Sequence, residues 1–139
     1  MSLLPNVTFT YPGLAHLILR VSVGWIFIFH GSQKLFGAFG GHGVGGFAKW
    51  LSSIQVPFPE VSAWLASGAE FFCGLALVFG IYARWATLPL IVVMLVAIIY
   101  VHGVNGFDIA QKGFEYNFVL IAALLTIFLQ GPSKWSVRS

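Results

Sequence analysis

Charge is scarce in this chain. Of 139 residues only 8% are charged, seven Lys or Arg against four Asp or Glu. A water-soluble fold needs polar side chains to cover its outside, and this composition does not supply them. The same scarcity speaks against nucleic acid, because no run of Lys and Arg is present to track a phosphate backbone. Cysteine is rarer still. Cys73 stands alone, so neither an internal disulfide nor a CxxC redox pair can form, and dithiol chemistry would need a partner protein. The first thirteen residues lack a basic n-region, and Arg20 interrupts the apolar run behind them. Both features argue against a cleaved signal peptide and for a first hydrophobic segment that stays.

What is present is apolar surface. The chain is 58% hydrophobic with a mean hydropathy of +0.90, the profile of an integral membrane protein. Four apolar segments, at about 14–36, 61–82, 84–102 and 115–130, approach the ~20 residues that cross a bilayer as a helix. They predict an all-α fold, a four-transmembrane-helix bundle over 14–130, with an N-terminal tail at 1–13 and a C-terminal tail at 131–139. The second and third segments are joined through "GIYARW", which leaves room only for a tight turn, so they form an antiparallel hairpin. Pro89 falls in the first turns of the third segment, where a missing N–H is tolerated best. The stretch 37–60 opens with glycines, continues with Phe47, Trp50, Leu51 and Ile54 at helical spacing, and ends with Pro57 and Pro59. This pattern predicts a short interfacial helix between the first and second spans.

An even number of crossings puts both termini on one side, with Arg84, Lys134 and Arg138 and no acid. The other side holds Lys34, Lys49 and Lys112 together with Glu60, Asp108 and Glu115. Basic residues alone divide evenly. The basic tail and the long glycine-rich loops opposite it favour an inner (plasma) membrane protein, multi-pass, with cytoplasmic termini.

Two ionisable residues fall within spans, Arg20 in the first and Glu70 in the second, and each is costly there unless paired, protonated or reached by water. Steps of three and four from Arg20 give Gly24, Phe27, Gly31 and Lys34. From Glu70 they give Ala63, Ala66, Gly74 and Leu77. Such small-residue stripes let membrane helices approach closely. The expectation is a buried structural ion pair between Arg20 and Glu70, and the alternative is a Glu70 that exchanges protons with a substrate.

The stretch "IFHGSQKLFG", residues 28–37, ends the first span in a polar knot. Chain direction brings His30, Gln33 and Lys34 level with His102 and with Glu115, Tyr116 and Asn117. Any one of these residues could be an ordinary interfacial anchor, and His16 and His42 are read as that alone. Together they suggest one site, with His30, Glu70 and His102 as catalytic candidates and His30, Gln33, Lys34, His102, Glu115 and Tyr116 as cofactor-binding candidates.

The segments "RVSVGWIFIFHGSQKLFG", "GAEFFCGLALVFGIYARWA", "VHGVNGF" and "GFEYNFVLIAALL", spanning about 20–125, resemble the DoxX family of small bacterial and archaeal membrane proteins. The resemblance implies a four-helix membrane protein with quinone-linked redox chemistry, at the matched positions Arg20, His30, Gln33, Lys34, Glu70, His102, Glu115 and Tyr116. On this reading His30 or His102 donates to one quinone carbonyl, Tyr116 or Gln33 donates to the other, and Glu70 or Glu115 relays protons. No Gly-rich dinucleotide turn is present to hold a flavin, so electrons must come from a metal centre, a redox partner protein or a diffusing reductant. Two other readings stand beside it. His30 and His102 could ligate a b-type haem, or with Glu115 a transition metal. Alternatively the chain is a non-catalytic scaffold, transporter subunit or homo-oligomer in the lipid bilayer.

Overall fold

Proline and glycine set the ends of the long helices. In the computed structural model, which describes residues 11–133 and 135–138, α1 spans Pro12–Phe36, with a proline in its first turn. It stops at Gly37, which turns left-handed (φ 72°) and returns its N–H to the Ser32 carbonyl. Helix α2 covers Gly43–Ser53, and α3 runs Pro59–Phe79, again opened by proline and closed by a left-handed glycine, Gly80. Helix α4 is Ala83–Ala97, continued by a π-helical turn at Ile98–His102. Helix α5 is Glu115–Gln130. No β-strand forms among the described residues; one isolated bridge pairs Ile81 with Arg138.

Three helical stretches are long and apolar enough to cross a membrane: Pro12–Phe36, Pro59–Phe79, and Ala83–Asn105, which is α4 with its continuation. Helix α5 is equally apolar but has 16 residues. The surface confirms the solvent these helices are built for. Trp25, Trp64, Leu65, Phe72, Trp85 and Leu129 are all more than half exposed, an arrangement that water would penalise and acyl chains accept.

Helices α1 and α3 pack antiparallel with almost nothing between their backbones. A Cβ on Gly31 would lie 2.6 Å from the Phe71 nitrogen, and one on Gly24 would lie 2.8 Å from the Gly74 carbonyl oxygen. This is the close approach expected of the small-residue stripes. Around it, Val23, Phe27, Leu77, Leu90, Leu124 and Ile127 form the main core, and Leu51, Val56 and Ala63 form a smaller one under α2.

The expected pairing of Arg20 with Glu70 does not occur. The glycine contacts set Gly31 opposite Phe71, so Glu70 lies level with residue 31. Arg20 is eleven residues further down α1, or ~16 Å at 1.5 Å per residue. Arg20 lies instead beside Gly80. Its Nη1 donates to the Ser133 and Ser136 hydroxyls at 3.0 Å, and its Nη2 donates to the Trp135 carbonyl at 2.9 Å.

The C-terminal residues expected to form a tail are therefore built into the fold. Val137 and Arg138 donate their N–H groups to the Phe79 and Gly80 carbonyls, and Tyr82 donates its N–H to the Arg138 carbonyl. Lys134, counted with the basic tail, lies outside the described residues. His16, read as an interfacial anchor, is buried at 4% exposure, and neither of its ring nitrogens has a hydrogen-bond partner among the described residues.

Candidate functional site

Helices α3 and α4 leave their tight connection at Gly80–Tyr82 and enclose a cavity of about 820 Å³ toward their far ends. One wall is the first half of α3 (Leu65, Ala66, Ala69) and the other is α4 from Pro89 on, with Tyr100 and Val101 of its π-helical continuation. Ile26 and Phe27 of α1 form the back. The amphipathic face of α2, Phe47, Trp50, Leu51 and Ile54, closes one end. These are the four residues whose spacing suggested an interfacial helix, and their side chains line this cavity. Leu65, Val92 and Val96 at its edge are among the exposed apolar residues of the outer surface. The cavity therefore opens sideways, at the level of the apolar belt.

Polar groups gather at the end nearest α2. Lys34 reaches from the last turn of α1 and grips Glu70 of α3 with Nζ at 2.7 and 2.9 Å from the two carboxylate oxygens. The carboxylate side chain is 1% exposed and the lysine 32%, so the pair runs from the helix interface to the cavity. The Lys34 ammonium also lies 5.1 Å from the centre of the Phe47 ring, a cation–π contact that ties α2 to the ion pair. His30 lines the cavity one turn below Lys34 and makes no hydrogen bond to the described residues. Its ring meets Phe29 edge to face.

His102 enters from the π-helical turn. Its Nδ1 lies 2.9 Å from the Lys112 carbonyl, which can only accept, so Nδ1 donates there. Tyr116 and Asn117 complete the lining from the first turn of α5. Asn117 is buried, and among the described residues its amide donates only to the Met94 sulfur at 3.4 Å, a weak acceptor.

Five of the residues singled out by sequence, His30, Lys34, Glu70, His102 and Tyr116, thus line one cavity. Gln33 does not. Its amide donates to the Phe39 carbonyl at 3.3 Å and holds the turn after α1. Glu115 is also absent from the lining, and its backbone N–H bonds the Phe107 carbonyl. Its absence breaks up the set His30, His102 and Glu115, and among the described residues no three His, Cys, Asp or Glu side chains gather at a metal-binding distance. Asn117, placed by the sequence in the same polar layer but not among the candidate site residues, joins the lining as well.

Fold and cavity together define a helical membrane protein with a laterally open, amphipathic cavity. The chain belongs to the DoxX family, whose profile matches residues 15–103. It is also 27% identical over 133 residues to a protein of Haemophilus influenzae described as uncharacterized, covering 90% of this chain and 82% of that one. No solved structure matches.

Proposed function

We propose that this protein is a quinone- or quinol-interacting redox component of the inner membrane. In this reading the chain crosses four times, α2 lies at the interface, and the termini face the cytoplasm. The observation that carries the proposal is the cavity itself. It has apolar walls, a side opening at bilayer depth, and one polar end. Its volume falls in the ~300–1,000 Å³ range of small-molecule sites. A quinone is a flat lipid-soluble ring with two carbonyl acceptors, and such a molecule enters from the bilayer without crossing water.

The chain's residues have distinct tasks in this reading. Tyr116 and Asn117 donate to one carbonyl from α5, and His30 donates to the other from α1. Phe27, Leu120 and Val93 supply the flat apolar contacts. The Lys34–Glu70 pair joins the buried carboxylate to a partly exposed ammonium, which gives protons a path between the cavity and the outside. Bound quinone supplies reversible two-electron chemistry. The electrons are exchanged with a redox partner protein or a diffusing reductant.

Binding of a short-chain ubiquinone to the protein in nanodiscs, followed by quenching of tryptophan fluorescence, tests the proposal. Ala69→Phe, which fills the cavity, and His30→Ala should each weaken binding at least tenfold, a loss of ~1.4 kcal/mol. Unchanged affinity in both folded variants would overturn the assignment. Optical spectra of the oxidised and reduced protein, with solvent extraction of bound lipid, show whether quinone accompanies the purified protein.

A further inference from the structure

We propose a second binding site, one that seats the headgroup of a phospholipid bearing a primary ammonium, as in phosphatidylethanolamine. It is a hollow of about 530 Å³ between α2 and the first turns of α3, separate from the cavity above. Lys49 and Ser52 line it from α2, and Glu60 and Trp64 line it from α3. Its floor is made of small residues, Gly45 and Ala48. A Cβ built on Gly45 would meet nothing within 4 Å, so the space is real and is left free by the absence of a side chain.

The charges point to a zwitterion. Lys49 and Glu60 border the same hollow, yet neither makes an ion pair or side-chain hydrogen bond with any described residue. A cation and an anion that face one space without meeting are satisfied together by a ligand carrying both signs. A phosphate takes the Lys49 ammonium and the Ser52 hydroxyl, and an ammonium takes the Glu60 carboxylate and the Trp64 ring face. Glu60 also decides between headgroups. A primary ammonium gives it N–H donors, choline has none to give, and a purely anionic headgroup is repelled.

The position makes the ligand a lipid. Trp64 belongs to a helix long and apolar enough to cross the membrane. From the hollow downward Val61, Trp64 and Phe72 lie exposed on that helix at 58–62%. Between them Gly68 leaves open space where a Cβ would stand. Acyl chains descending from the headgroup find that apolar groove directly beneath it.

The test is native mass spectrometry of the full chain released from nanodiscs holding equal parts of phosphatidylethanolamine, phosphatidylcholine and phosphatidylglycerol. The wild type should retain phosphatidylethanolamine about fivefold over either of the others, the scale of one exposed ion pair at its strongest. Glu60→Gln, which removes the carboxylate charge, and Gly45→Leu, which fills the hollow and leaves both charges in place, should each abolish that preference. Both positions are exposed, and thermal unfolding checks that the variants fold. Equal retention of the three lipids by the wild type, or an undiminished preference in both variants, overturns the proposal. Displacement of the lipid by millimolar soluble phosphoethanolamine would overturn the lipid assignment in favour of a free zwitterion.

Discussion

Replacing Lys34 with methionine keeps an unbranched side chain one atom shorter and removes the charge that Glu70 holds. The carboxylate is 1% exposed and both of its oxygens bind the ammonium, at 2.7 and 2.9 Å. Removing one partner of a fully buried pair costs ~3–5 kcal/mol, because the remaining charge is left without compensation. Lys34 is one-third exposed, and water reaching its end of the pair lowers the expected cost to about 3 kcal/mol. For a chain of this size that corresponds to a fall of roughly 10 °C in the midpoint of thermal unfolding. The comparison that matters is the double variant Lys34→Met with Glu70→Met. With both charges gone the interface is apolar, and the midpoint should return to within a few degrees of wild type. The assay is loss of helical circular dichroism on heating in one detergent, for wild type, both single variants and the double variant. If the double variant loses the sum of the two single effects, Lys34 and Glu70 are not an energetic unit and the reasoning fails.

Three further outcomes follow from the packing. Gly31→Ala puts a methyl 2.6 Å from the Phe71 backbone nitrogen and should destabilise by ~1–3 kcal/mol through overpacking. Gly45→Ala meets open space in a helix and should leave the stability unchanged or raise it by up to ~1 kcal/mol, read as an unchanged or higher unfolding midpoint. Arg20→Met removes the donors that hold Ser133, Trp135 and Ser136. Hydrogen exchange at the amides of Val137 and Arg138 should accelerate as that segment lifts from Phe79 and Gly80, and unchanged protection would assign the anchoring to the backbone bonds alone.

The apolar stretches of the sequence announced the long helices, because a run that must satisfy its own backbone in lipid has few other forms. The stripe Arg20, Gly24, Phe27, Gly31, Lys34 was also legible as a buried seam. The register between α1 and α3 was not. It depends on which glycine meets which backbone atom across the interface, and that contact joins residues some forty to fifty positions apart. The stripe therefore contained the true partner of Glu70, at its opposite end from the one expected. The docking of Ser133 and of residues 135–138 left no trace in the sequence, since serine hydroxyls and carbonyl oxygens carry no periodicity. Gln33 and Glu115 share the membrane level of the site, but level along a helix does not specify which way around it a side chain points.

That distinction gives the π-helical turn at Ile98–His102 a particular meaning. An α-helix advances about 100° per residue, and a π turn accommodates one residue more in the same stretch of helix. His102 lies at the last position of that turn, so its bearing on the cavity depends on a surplus residue rather than on its own identity. A one-residue deletion at Ile99 would let the helix close up in ordinary α form. It would leave the length of the stretch and its hydropathy almost unchanged. His102 would keep nearly the same bearing, whereas winding all five residues as α-helix would turn it by most of one residue's ~100° around the axis, still present in the chain and aimed elsewhere.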